Sequence, residues 1–159
     1  MKLQTLLTTL LCSGALAFVP ADTAEAQRSR DSRQSKPEIL FPEAGREAPK
    51  QGSSRFGTKL DKAYKLIEKE KYAEAIAAAE AIANNERAGP YERSRAYYIA
   101  GYATQQTDTE SVSKTIDYLT RAIESNGLDN NMHYQLMQQV AQLHVAEEQY
   151  DHAIRYIDR

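Results

Sequence analysis

Apolar residues recur at the spacing of an α-helix from Thr58 onward. In the stretch TKLDKAYKLIEKE, one helical face carries the apolar positions Leu60, Ala63, Tyr64 and Ile67. Similar stretches follow, and they are interrupted by AGP at 88–90, DTE at 108–110 and SNGLDNN at 125–131. Gly commonly ends a helix and Pro suits the first turn of the next one. The pattern therefore predicts an all-α domain of three helix pairs.

Small residues mark the places where the two helices of each pair are expected to cross. Two antiparallel helices approach closely only where the facing side chains are small. Each predicted pair has one small residue on each helix: Ala63 with Ala75, Ala100 with Thr115, and Ala141 with Ala153. These residues are therefore expected at the buried contact between paired helices.

Larger residues precede the second small residue of each pair and are expected to fill the gap at the turn. These residues, each three positions earlier, are Tyr72, Val112 and Tyr150. In the last pair, the stretch EEQYDHAIRYID again sets apolar residues at helical spacing. The inward face of its second helix is predicted to consist of Tyr150, Ala153, Ile154 and Ile157.

This arrangement resembles the tetratricopeptide repeat (TPR), a helix–turn–helix unit of about 34 residues with small residues at the helix crossing and an aromatic residue before the second one. The first helices are centred on Ala63, Ala100 and Ala141, so the repeats are longer than the family standard. The early Trp of the family is absent, and Thr115 stands where Ala is usual. The resemblance implies an α-solenoid of about three TPR-like antiparallel helix pairs over residues 58–159. An unrelated helical bundle is the alternative.

The resemblance also implies a protein-binding groove on the concave side, which the first helix of each pair lines in such repeats. Projection from the small residues places there Tyr64, Ile67, Tyr97, Gly101, Thr104, Gln138, Gln142 and Val145. Tyr and Gln suit an extended or helical peptide, because they combine aromatic area with amide hydrogen bonds. The alternative for each tyrosine is packing between repeats. The expected partner is a protein or peptide and not a nucleic acid.

Residues 1–26 have the three-part pattern of a secretory signal peptide. Lys2 precedes the apolar run LLTTLLCSGALAFV, and small residues ending in AEA follow. Cleavage is expected after Ala26, with ALA at 15–17 as the second choice. The apolar run is too short for a membrane span, and no later stretch is apolar enough for one. We therefore expect an exported protein that is soluble and has no stable membrane insertion after cleavage.

Residues 27–57 are rich in Pro, Gly and charged residues, with little apolar content beyond Ile39, Leu40 and Phe41. Such a composition buries too little surface to offset the entropy of ordering, so a flexible linker is predicted. Its seven cations and four anions give a net charge of +3, against −4 for residues 58–159, which have twelve cations and sixteen anions. Mixed, dispersed charges favour a solvated segment over contact with an anionic partner or membrane surface.

Few residues are candidates for catalysis or metal binding. Cys12 is the only cysteine and lies in the predicted signal peptide, so the mature chain has no thiol. His144, Glu148 and His152 are four residues apart, a spacing that would align metal ligands on one continuous helix. A turn predicted at 147–149 breaks that alignment. No nucleophile-elbow, phosphate-loop or zinc-protease motif occurs. We therefore expect no enzyme activity, no catalytic residue, no metal and no cofactor.

A closer resemblance concerns residues 119–157, LTRAIESNGLDNNMHYQLMQQVAQLHVAEEQYDHAIRYI. This stretch is similar to small exported repeat proteins encoded beside proteobacterial TonB-type energy-transduction systems. It implies a non-enzymatic adaptor in the bacterial periplasm that belongs to such a system. Two alternatives remain open: a scaffold for envelope or cell-wall assembly, and an accessory domain of a larger hydrolase. The identity of the partner and the oligomeric state remain open as well.

Overall fold

A computed structural model describes residues 39–42, 45–47, 54–107 and 112–158, all of which belong to one compact unit, Ile39–Arg159. The predicted signal peptide and its cleavage site lie outside the described residues. The same holds for residues 27–38 of the predicted linker and for the DTE loop at 108–110.

Six α-helices follow one another in the described ranges, and no strand occurs there. Their bounds are Ser54–Glu68 (α1), Tyr72–Ala83 (α2), Pro90–Thr107 (α3), Val112–Glu124 (α4), Asn130–Ala146 (α5) and Tyr150–Ile157 (α6). The predicted all-α class is confirmed. Each helix packs against the next one in the sequence, and α1 also packs against α3. Among these described helices, none has the length and apolar character needed to cross a membrane.

The turns α1–α2 and α5–α6 have the same geometry. Glu70 and Glu148 adopt positive φ angles of 57° and 58°. The residue after each Glu closes the preceding helix with a backbone hydrogen bond: Lys71 N donates to Leu66 O at 2.9 Å, and Gln149 N donates to His144 O at 2.8 Å. A left-handed residue followed by this bond is the Schellman ending of a helix. The next helix then begins at once, with Tyr72 or Tyr150.

Buried side chains form two clusters. The first, mainly on α1, α2 and α3, includes Phe56, Leu60, Ala79, Ile82, Ala96 and Ile99. The second, on α4, α5 and the loop between them, includes Leu119, Ile123, Leu128, Leu136 and Val140. The small residues predicted at the helix crossings are all buried, namely Ala63, Ala75, Ala100, Thr115, Ala141 and Ala153. The predicted burial of these positions is confirmed.

Helix α1 begins at Ser54, inside the segment 27–57 that is predicted as a linker. Phe56 explains this difference, because its side chain is only 2% exposed and belongs to the first cluster. One aromatic residue in a polar stretch leaves no periodic pattern, so composition places the predicted boundary at Thr58 instead. Burial of a Phe side chain stabilises by about 1.5–3 kcal/mol, which is enough to favour one more helical turn.

Helix α6 differs from the prediction on its apolar face. Ala153 is buried, but Tyr150, Ile154 and Ile157 are 59%, 52% and 67% exposed. The predicted inward orientation is wrong for these three residues. Helix α6 packs mainly against α5, and it reaches α4 through Tyr156, whose hydroxyl lies 3.0 Å from that of Thr120. Most of its apolar side chains therefore remain at the surface.

Candidate functional site

An open groove lies on the surface of the last helix pair, with a volume of about 660 Å³. This α5–α6 groove is lined by Gln138, Ala141, Gln142, Val145, Ala146 and Ile157. Gln138, Gln142 and Val145 are spaced by four and three positions on α5, which puts them on one helical face. The groove thus brings together three of the predicted groove residues and adds Ile157 from α6.

The α5–α6 groove combines apolar surface with amide groups. Val145 and Ile157 expose 47% and 67% of their surface. Gln138 and Gln142 are also exposed, and each amide can both donate and accept hydrogen bonds. None of the lining residues is an acid, a base or a nucleophile. The groove therefore offers apolar contact and neutral hydrogen bonding, and its lining lacks the groups that proton transfer or covalent catalysis would need.

Tyr64 and Ile67, the predicted groove residues of α1, are half-buried and pack against the first core cluster. The Cζ atom of Arg95 lies 5.3 Å from the centroid of the Tyr64 ring, a cation–π contact. Burial raises the pKa of Tyr64 to about 12, although the charge of Arg95 acts in the opposite direction. Both residues thus contribute to internal packing, which is the alternative that the sequence leaves open for its tyrosines.

Tyr97 lies at the junction of the two core clusters and packs against both. The Cζ atom of Arg121 lies 5.8 Å from the centroid of its ring, and a hydrogen bond to Tyr97 raises the pKa of Arg121. A smaller cavity of about 320 Å³ is lined by Ala83, Arg93, Tyr97, Arg121, Glu124 and Ser125. These residues differ from those of the α5–α6 groove. Tyr97 and Gln138 therefore lie in separate depressions.

Gly101 and Thr104, the predicted groove residues of α3, are buried. A Cβ atom at Gly101 would lie 2.5 Å from Cδ2 of Leu119, so a larger residue there would force the Leu119 side chain to shift. The Thr104 hydroxyl donates to the carbonyl oxygen of Ala100 at 2.8 Å. The sequence predicts that both residues line an open groove. They are buried instead, because α3 packs against α1, α2 and α4.

The two histidines near the α5–α6 turn stack against each other. His144 is buried, and its Nδ1 lies 2.8 Å from Oε1 of Gln149. The rings of His152 and Tyr156 stack on His144, with centroids 5.2 and 5.7 Å away. Within the described ranges, no group of three or more His, Cys, Asp or Glu side chains is arranged to hold a metal ion.

Sequence reasoning misses two features of this surface. The first is Ile157 as a groove residue, because its helical spacing from Ala153 is the same signal that a buried residue would give. The second is the contact of Arg46 with the loop between α4 and α5. A signal for that contact exists in the Asn-rich stretch SNGLDNN, whose amide and carbonyl oxygens suit a guanidinium group.

The described residues thus define an all-α protein with an open groove between its last two helices. No family model, curated protein or solved structure matches the chain.

Proposed function

We propose that the chain is a non-enzymatic adaptor that binds a protein or peptide partner through the α5–α6 groove. The observation that carries this proposal is a single groove in which exposed Val145 and Ile157 lie beside the amides of Gln138 and Gln142. Exposed apolar surface next to polar groups is typical of protein interaction sites.

The groove suits a short helical or extended segment with at least one apolar side chain. Such a side chain would pack against Val145 and Ile157, with a gain of about 25 cal/mol for each Å² of apolar surface removed from water. The amides of Gln138 and Gln142 would pair with polar groups of the partner, at a net gain of about 0.5–1.5 kcal/mol for each hydrogen bond. A volume of about 660 Å³ accommodates a few side chains, so the expected ligand is a short motif and not a whole domain face.

Sequence patterns support the wider setting of this proposal. The TPR resemblance of residues 58–159 supports an adaptor role, since such repeats present extended binding surfaces. The signal-peptide pattern of residues 1–26 supports export to the bacterial periplasm. The similarity of residues 119–157 to exported repeat proteins supports a place beside a TonB-type energy-transduction system. A scaffold for envelope or cell-wall assembly would use the same groove for a different partner, so the identity of the partner distinguishes the two.

A photo-crosslinking residue in place of Gln142 tests the groove directly. Gln142 is exposed and lines the groove, so its replacement leaves the core unchanged. Lys114 of α4 is also exposed, lies outside the groove and serves as the control position. In cells that export the chain, irradiation should link a specific partner to position 142 and not to position 114. Mass spectrometry of the adduct identifies that partner. The same adducts from both positions, or none from either, would contradict the proposal.

The substitution Ile157→Asp then tests whether the identified partner uses the groove, with Ile154→Asp as the matched control. Both isoleucines lie on α6 and are more than half exposed, but only Ile157 lines the groove. A carboxylate in the groove loses its hydration when the partner binds, so Ile157→Asp should weaken binding by at least about tenfold. Ile154→Asp should bind within about twofold of the wild type. Calorimetric titration measures both affinities, and wild-type affinity of Ile157→Asp would refute the site.

A further inference from the structure

The guanidinium group of Arg46 is held by the loop between α4 and α5. Its Nε donates to Oδ1 of Asn126 at 2.6 Å, and its Nη2 donates to the carbonyl oxygen of the same residue at 3.0 Å. Its Nη1 donates to the carbonyl oxygen of Leu128 at 2.7 Å and to Oδ1 of Asn130 at 3.0 Å. All three nitrogens of the guanidinium group are therefore engaged, and the acceptors are four neutral oxygen atoms.

The same surface also holds the backbone of Arg46 and two residues that precede it. Asn130 Nδ2 donates to the carbonyl oxygen of Arg46 at 3.0 Å, the Leu40 N–H donates to Asn131 Oδ1 at 3.0 Å, and the Phe41 ring centroid lies 5.2 Å from that of Tyr134. These contacts anchor residues outside the helices to the first turns of α5. Arg46 and Leu40 are held by hydrogen bonds, and Phe41 is held by an aromatic contact.

The helical domain itself fixes the loop that receives Arg46. The N–H of Gly127 donates to the buried Oγ of Ser94 at 2.8 Å. A Cβ atom at Gly127 would lie 2.0 Å from the carbonyl oxygen of Pro90, so the loop lies directly on the start of α3. Leu128 is 1% exposed and belongs to the second core cluster. Because none of these contacts involves Arg46, the acceptor oxygens are held in place whether or not Arg46 is docked.

We propose that residues 126–131, together with Tyr134, are a docking site for an extended peptide that carries an arginine, and that Leu40, Phe41 and Arg46 of this chain occupy it as an intramolecular ligand. The planar guanidinium group presents five N–H donors in a fixed fork, which matches four acceptors spread over three residues. A lysine ammonium group has its three donors on one nitrogen and cannot span the same acceptors. The contact of Phe41 with Tyr134 adds selectivity for an aromatic residue five positions before the arginine.

Hydrogen exchange of the full chain tests the docking in place. The Leu40 amide should exchange slowly in the wild type, because its hydrogen bond to Asn131 depends on the docked segment. Arg46→Ala should accelerate this exchange by at least about tenfold, since bonds from a charged donor are lost. Arg46→Lys keeps the charge and should behave like Arg46→Ala. Unchanged protection in Arg46→Ala, or full protection in Arg46→Lys, would overturn the proposal. Circular dichroism should show the same helicity in all three chains.

A peptide added in trans tests the specificity of the site. We would use the fluorescein-labelled peptide ILFPEAGRE, which is residues 39–47 of this chain. It should bind the full-length Arg46→Ala chain at least about tenfold more tightly than the wild type, in which the site is occupied. The same peptide with Lys in place of Arg should bind that chain at least about tenfold more weakly. Equal affinity for the two chains, or for the two peptides, would refute an arginine site.

Asn126→Gly, made in the Arg46→Ala chain, locates the peptide on the loop. Asn126 has a φ of 53°, so glycine retains the backbone conformation without strain and removes only the side-chain acceptor. Peptide affinity should fall in this double variant while helicity is retained. Undiminished affinity would show that the peptide binds elsewhere.

Discussion

The first and last helix pairs share a turn and a sequence pattern, but their second helices are covered differently. Both α2 and α6 begin with Tyr-x-x-Ala-Ile, and a left-handed Glu stands two positions before the Tyr. Helix α2 packs against both α1 and α3, whereas α6 packs mainly against α5 and meets α4 only at Tyr156 among the contacts of the described helices. The same local pattern therefore gives a core helix at α2 and a half-exposed helix at α6.

Equivalent positions on the two helices show the effect of this difference. Seven residues after the initial Tyr, α2 has Ala79, which is 0% exposed, and α6 has Ile157, which is 67% exposed. Ile76 packs against the first core cluster, while its counterpart Ile154 faces solvent. A small residue stands where a neighbouring helix approaches, and a large apolar residue stands where none does. Contact with a neighbouring helix, rather than the local pattern, decides which side chains become core.

A reciprocal exchange between these positions should give the largest effect. Ala79→Ile adds three carbon atoms at a fully buried contact, and overpacking of this kind costs about 1–3 kcal/mol. Ile157→Ala removes exposed surface and should change the free energy of unfolding by less than about 0.5 kcal/mol. Urea denaturation measures both values. A loss of stability for Ile157→Ala that matches the loss for Ala79→Ile would mean that α6 is covered as α2 is.

A second pair of substitutions tests the orientation of α5 within the last helix pair. Ala141 is buried and the adjacent Gln142 is exposed. Ala141→Leu forces α5 and α6 apart and should cost about 1–2 kcal/mol, near the low end for overpacking because α6 can move outward. Gln142→Leu should stay within about 0.5 kcal/mol of the wild type. Thermal melts of the two variants measure these losses of stability. A larger loss for Gln142→Leu than for Ala141→Leu would show that the faces of α5 are assigned incorrectly.

The smallest expected effect concerns the turns that the two pairs share. A non-glycine residue in the left-handed region costs about 1 kcal/mol, and Gly at this position is the commonest way to end a helix. Glu70→Gly and Glu148→Gly should each raise the free energy of unfolding by less than about 1 kcal/mol, because glycine also loses more entropy on folding. Similar gains at both sites in urea denaturation would show that the turn is independent of what covers the next helix. A gain at only one site would show the opposite.

Local features of the fold could be predicted from the sequence because they leave a periodic signal. The helix pairs, the small residues at their crossings and the Tyr at the start of α2 and α6 all follow from spacing within a few residues. The exposure of Ile154 and Ile157 does not, because it depends on helices distant in sequence. Gly101 and Thr104 are buried for a related reason, since α3 has three neighbouring helices and a regular repeat pattern does not show how they share its surface.

The candidate site could be predicted only in part for the same reason. Gln138, Gln142 and Val145 are at positions i, i+4 and i+7 of α5, so the helical period alone predicts that they share one face. Ile157 joins them through the packing of α6 on α5, and Arg46 reaches its loop across about eighty positions of the chain. Polar contacts between a loop and a non-helical segment have no periodicity that a sequence pattern could show.

The position of Tyr97 has a consequence for the cooperativity of unfolding. A molecule of consecutive folding units is described by the stability of each unit and by a coupling between neighbours. Tyr97 contributes to the coupling, because its ring contacts both core clusters beneath the guanidinium group of Arg121. Loss of the ring would weaken the coupling more than it weakens either unit. Loss of the ring should therefore broaden the unfolding transition, although the packing of α3 on α4 and the Gly127–Ser94 hydrogen bond still join the two clusters.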